Sequence, residues 1–165
     1  MEGDRADTMV GMAGLWNWSA AERIEPERVR NALAGALERP VAELVEGQPD
    51  ALLCDVYHVG GDFPTVIDVY LAPDSVAEET AASAVAVRLG VAVLVPDDTL
   101  NPSRYVCADP DGTLRPVHVE ERETAEGAER RHVRPCTGAD PACAAHPGCH
   151  RSRWRPVAAP ERPAA

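Results

Sequence analysis

The sequence predicts an α+β fold: a single antiparallel-dominated sheet of about five strands with two helices, in the order α-β-β-α-β-β-β, followed by an irregular Cys/Pro/Arg-rich tail. Three observations lead there. Val29, Ala32, Leu33, Ala36 and Leu37 recur at helical spacing, whereas Ile67, Val69 and Leu71 alternate with Val66, Asp68 and Tyr70 at the period of a strand. Beyond Glu121 both periodicities stop and the sign of the charge reverses.

The elements follow in order. Ser19 and Glu22 fit a capping box behind Trp16 and Trp18, one of which would staple the start of a helix. Pro26 suits the first turn, where its missing N–H removes no bond, and Pro40 stops the helix. Leu52 to Val59 and Thr65 to Leu71 read as an antiparallel hairpin around Gly60-Gly61-Asp62-Phe63-Pro64. Ser75 and Glu78 suggest a second capping box, and Gly90 stands where a left-handed C-terminal glycine belongs. Val91 to Val95 has no polar residue, as expected of a central strand. Arg104 to Ala108 and Leu114 to Glu120 flank the turn Asp109-Pro110-Asp111-Gly112, and Pro116 predicts that the last of them is a sheet edge.

This gives a flexible N-terminus over 1–15, an acidic α+β domain over 16–121, and a basic, largely irregular tail over 122–165. The first 121 residues hold 22 acids against 8 arginines, and the last 44 hold 5 acids against 8 arginines, within a total charge of −11. All 16 basic residues are Arg, which with the abundant Ala, Val and Pro suggests a GC-rich bacterial genome. An acidic body is ill suited to wrapping nucleic acid through its phosphates. Nothing approaches the roughly 18 consecutive apolar residues of a membrane span. Met1 to Gly14 lacks the apolar run of a secretion signal, and five cysteines cannot all pair, so a reducing cytoplasm is the expected compartment.

Two constellations could carry function. Cys136, Cys143, His146 and Cys149 are the densest collection of soft ligands, and zinc takes four tetrahedral N/S donors. The long gap between Cys136 and Cys143 departs from common zinc spacings, and a tail of unliganded thiols is the plain alternative. The second is the hairpin face of Asp55, Tyr57, Asp68 and Tyr70, whose carboxylates and phenols suit a basic protein partner. A short turn sets Asp55 directly opposite Asp68, and a register two residues away pairs each Asp with a Tyr. His58 falls on the core-facing side with Cys54, and Asp97-Asp98 reads as a turn that favours solubility.

No phosphate loop, dinucleotide-binding glycine motif, metalloprotease helix or nucleophile elbow is present. The expected function is that of a small acidic binding protein, inhibitor-like or immunity-like, acting on a basic macromolecule. A zinc-binding regulatory or accessory protein is the alternative, and an enzyme of unrecognised type the third.

Overall fold

Alternation along the strands builds one sheet with two different faces. The computed structural model describes residues 14–43, 51–97, 102–144 and 149. In chain order the elements are β1 (Trp16–Ala20), α1 (Pro26–Leu37), β2 (Val41–Ala42), β3 (Leu52–His58), β4 (Thr65–Tyr70), α2 (Glu78–Leu89), β5 (Val93–Pro96), β6 (Arg104–Ala108), β7 (Leu114–Thr124), β8 (Gly127–Pro135) and the single turn α3 (Pro141–Ala144). The eight strands lie in the order β2-β3-β4-β1-β5-β6-β7-β8. Among the described strand pairs, only the short β2–β3 pair is parallel. No helix among the described residues is long and apolar enough to cross a membrane.

This corrects the expected fold. Among the described residues the sheet is mixed and eight-stranded rather than an antiparallel-dominated one of about five strands, and there are three helices rather than two. One reason lies at β1. Trp16 and Trp18 are strand residues that alternate into the core, where their rings stack 5.3 Å apart. Ser19 is therefore no helix cap, and α1 starts behind Glu25 without a side-chain cap bond. The second capping box is absent too: α2 starts behind Ala77 without a side-chain cap, and Glu78 accepts the Trp18 indole N–H at 3.0 Å. The other reason is β8, a strand within what reads as an irregular tail, so that β7 is not an edge.

One face of the sheet is covered by α1 and α2. Val29 and Leu33 from α1 and Val85, Ala86 and Leu89 from α2 pack on Trp18, Ile67, Val69, Val93 and Val106. Phe63, Leu94, Tyr105, Cys107, Val117 and Val119 form a smaller core. Alternation along β5–β7 puts all of these but Phe63, which comes from the β3–β4 turn, on the opposite face, where Val133 of β8 packs against the cluster.

The hairpin curls far enough to meet the other end of the sheet. Arg130 bridges Gly61 in the β3–β4 turn, the Asp62 amide donates to the Arg130 carbonyl at 2.9 Å, and the His132 amide donates to the Asp62 carboxylate at 3.0 Å. Gly61 has φ +88°, and a Cβ there would lie 2.9 Å from the Arg130 carbonyl oxygen. A glycine is the residue that permits both the turn and the approach. Opposite charges align along the ladder, with Glu120 facing Arg131, Glu121 facing Arg130 and Arg122 facing Glu129. The register breaks between His118 and Glu120, so that His132 and Val133 together oppose Val119, and His132 takes a positive φ of 57°. This is a bulge, which bends the hairpin.

Candidate metal centre

The antiparallel ladder brings the start of β7 and the end of β8 to one place, with Val117 opposite Pro135 and His118 opposite Arg134. His118 lies on β7 with its side chain on the face opposite Val117 and Val119, fully buried. Cys136 directly follows β8 and is tied down by its amide, which donates to the Pro116 carbonyl at 3.1 Å. Cys143 sits on α3, whose start is capped by Asp140: the Ala142 amide donates to Oδ1 at 2.9 Å and the Cys143 amide to the backbone carbonyl at 2.8 Å. Arg134 braces this loop with a forked pair of bonds to the Asp140 carboxylate, at 2.6 and 3.1 Å. That guanidinium, with the Ala142 amide second, holds the Asp140 carboxyl down at about 2. Cys149 closes the group and is buried.

The donor atoms of His118, Cys136, Cys143 and Cys149 all lie within 4.8 Å of one another, an arrangement that could hold a metal ion. Cys136 Sγ is 3.9 Å from Cys143 Sγ and 3.7 Å from Cys149 Sγ. His118 Nε2 is 3.0 Å from Cys143 Sγ and 3.7 Å from Cys149 Sγ. A tetrahedral ion with bonds of about 2.3 Å to sulfur sets its sulfurs about 3.7 Å apart, which the Cys136–Cys149 and Cys136–Cys143 separations approach, while His118 Nε2 would have to draw back from Cys143 to admit an ion. All five cysteines are free thiols.

The surroundings suit the same purpose. Ser103 Oγ lies 3.0 Å from His118 Nδ1. A metal at Nε2 needs the lone pair there, which leaves the proton on Nδ1 to be donated to this hydroxyl and fixes the ring. Burial pushes the Cys136 thiol up to about 11, while the Arg104 guanidinium beside it acts in the opposite direction. A bound cation would overcome that penalty, because metal-ligated thiols are deprotonated.

The structure thus gathers Cys136, Cys143 and Cys149 with His118. The other expected ligand, His146, lies outside the described residues, as do Asp98, residues 1–13 and the Pro/Ala end. His118 was missed because it sits inside a strand, 25 residues from Cys143. Its position two after Pro116, next to the charged run, gave no ligand spacing to recognise.

The second constellation lies on the other side of the sheet. Asp55 stands directly opposite Asp68, the register that the short turn implies. The Asn17 amide eases the Asp68 charge with a bond of 2.5 Å. Tyr57 is 37 % exposed, and its phenol is raised by partial burial first and by the Asp68 carboxylate second. Beside it runs a groove of about 330 Å³ between Asn17, Tyr57, Val66 and the hairpin residues Glu121, Glu123 and Arg130. Arg130 is buried, with bonds to Ser19 Oγ at 2.5 Å, Tyr105 Oη at 3.3 Å and Asn17 Oδ1 at 3.3 Å. His58 is half-buried and donates from Nε2 to the Ile24 carbonyl at 2.8 Å, a structural bond. Asp97 pairs with the buried Arg104, which makes it more than a solubility residue.

The fold and this cluster define the class: an α+β protein with one curled mixed sheet and a Cys₃His donor set. Comparison with family models, curated proteins and solved structures finds no match to this chain.

Proposed function

We propose that this chain is a zinc-binding accessory protein whose Cys₃His centre is structural and whose work is binding rather than chemistry. The observation that carries the reading is the convergence of four soft donors from β7, the end of β8, α3 and Cys149 within 4.8 Å. Three thiolates and an imidazole as donors favour zinc over the harder cations, which prefer oxygen. Four protein ligands leave no position for a reactive water, which distinguishes a structural site from a hydrolytic one. Zinc here would fasten the segment after β8 to the sheet.

The test is metal content after purification without added zinc. About one zinc per chain is expected, and Cys143→Ser should lose it while Cys54→Ser, remote from the cluster, keeps it. Chelation should lower the thermal midpoint, since the folded state binds the ion and the unfolded chain holds it poorly. A metal-free protein that refuses added zinc would sink this reading, and stoichiometric iron would reassign the centre.

A second reading is favoured by the Asp55–Asp68 pair. Like charges opposed in a ladder cost stability, and their presence beside Tyr57 and Tyr70 supports a face that meets a basic partner protein.

A further inference from the structure

We propose that Arg104 is the charge partner of the metal centre, a buried guanidinium that offsets the negative charge of the zinc-loaded cluster and so sets how tightly the ion is held. The inference rests on the zinc reading above and adds a residue that is not a ligand.

Zinc with three thiolates and a neutral imidazole carries one net negative charge, and a buried net charge is costly unless another charge meets it. Arg104 is placed to do so. It is 2 % exposed, stands directly opposite His118 in the β6–β7 ladder, and sets its guanidinium beside the Cys136 sulfur. Its Nη1 donates to Asp97, whose side chain is also nearly buried.

One observation does not fit a plain Arg–Asp pair. Arg104 Nε is buried and has no hydrogen-bond partner among the described residues. Buried donors are seldom left unmatched, because an unmet hydrogen bond is expensive. A thiol is a poor acceptor for such a donor, and a thiolate is a good one. Loading the cluster would turn the Cys136 sulfur beside this guanidinium into a much better acceptor, with Asp97 holding the guanidinium in place. Arg104 acts through Cys136 and is a positioning residue.

The test compares wild-type protein with Arg104→Gln and Arg104→Lys by zinc competition against a chromogenic chelator. Outer-shell partners of metal ligands are typically worth roughly 10–100-fold in affinity. Arg104→Gln should weaken zinc by that amount, and Arg104→Lys, which keeps the charge, should recover most of it. In the cobalt-substituted protein, Arg104→Gln should move the sulfur-to-metal charge-transfer band to lower energy, a change that altered stability alone does not produce. A folding defect in the variants is bypassed by loading the wild type with cadmium-113: a guanidinium proton of Arg104 should show scalar coupling to the metal across sulfur. Wild-type zinc affinity and an unshifted cobalt band in Arg104→Gln, or no such coupling in the wild type, would overturn the proposal. A wild-type chain that takes up no zinc or cadmium would overturn the zinc reading itself.

Discussion

Five cysteines of one chain fall into two chemical kinds. Cys54 and Cys107 are single thiols in the two cores, where burial first, with Asp109 second at Cys107, pushes each from its ordinary value of 9.0 up to about 12. They are inert at neutral pH, since the thiolate is the reactive species. In the unfolded chain both ionise near their ordinary value, while the folded state keeps them protonated. Their contribution to stability is present below about pH 9 and is lost as pH climbs toward about 12. Urea midpoints should fall steadily above about pH 9, and the double variant Cys54→Val/Cys107→Val should flatten that slope; an unchanged slope would remove these thiols as its cause. The other three thiols are distinguished by company. Their cysteine content was legible in the sequence, and their histidine was not, because spacing along the chain says nothing of a residue delivered by a neighbouring strand.

At the scale of elements, the β7–β8 hairpin decides most of the architecture. It extends the sheet, carries His118 and Cys136, and closes on the β3–β4 turn. Its apolar pattern is weak, since many of its side chains lie exposed and its strands are held by backbone bonds and paired charges. A signal was nonetheless available. The run Glu120-Glu121-Arg122-Glu123, followed after the turn by Glu129-Arg130-Arg131, is complementary when folded back on itself. The contact with the β3–β4 turn gives a sharp prediction. Gly61→Ala puts a Cβ into a left-handed residue and against the Arg130 carbonyl, and should cost about 1–3 kcal/mol in chemical denaturation. Gly60→Ala meets only the movable Glu129 carboxylate and should cost less. Equal costs would mean that neither the left-handed turn at Gly61 nor its contact with Arg130 persists in solution.

Over the whole molecule, the helical face packs into the main core, and the other face carries the smaller core and the opposed Asp55–Asp68 pair. Asp55→Asn should raise stability by roughly 0.2–1 kcal/mol by relieving Asp68, with a gain that shrinks in high salt. On the binding-face reading the same variant should weaken capture of a basic partner at low salt. A variant with no gain in stability would show that the carboxylates do not oppose each other, and capture indifferent to both salt and the substitution would remove the electrostatic reading.

Composition and periodicity alone determined that this chain is an acidic α+β protein, that the stripe from Val29 to Leu37 is helical with Pro26 in its first turn, that β3 and β4 form a hairpin, and that its soft ligands concentrate near Cys143. These are local properties, carried by a residue's type and its near neighbours. The tertiary structure decided that Trp16–Ala20 is a strand, that the sheet has eight members, and that His118 joins the cysteines. Each of those depends on partners far away in sequence: β1 is a strand because it lies between β4 and β5, and β8 is a strand because β7 offers it a ladder and matching charges. A segment whose own pattern is weak takes its conformation from the surface it pairs with, and that surface exists only in the folded chain.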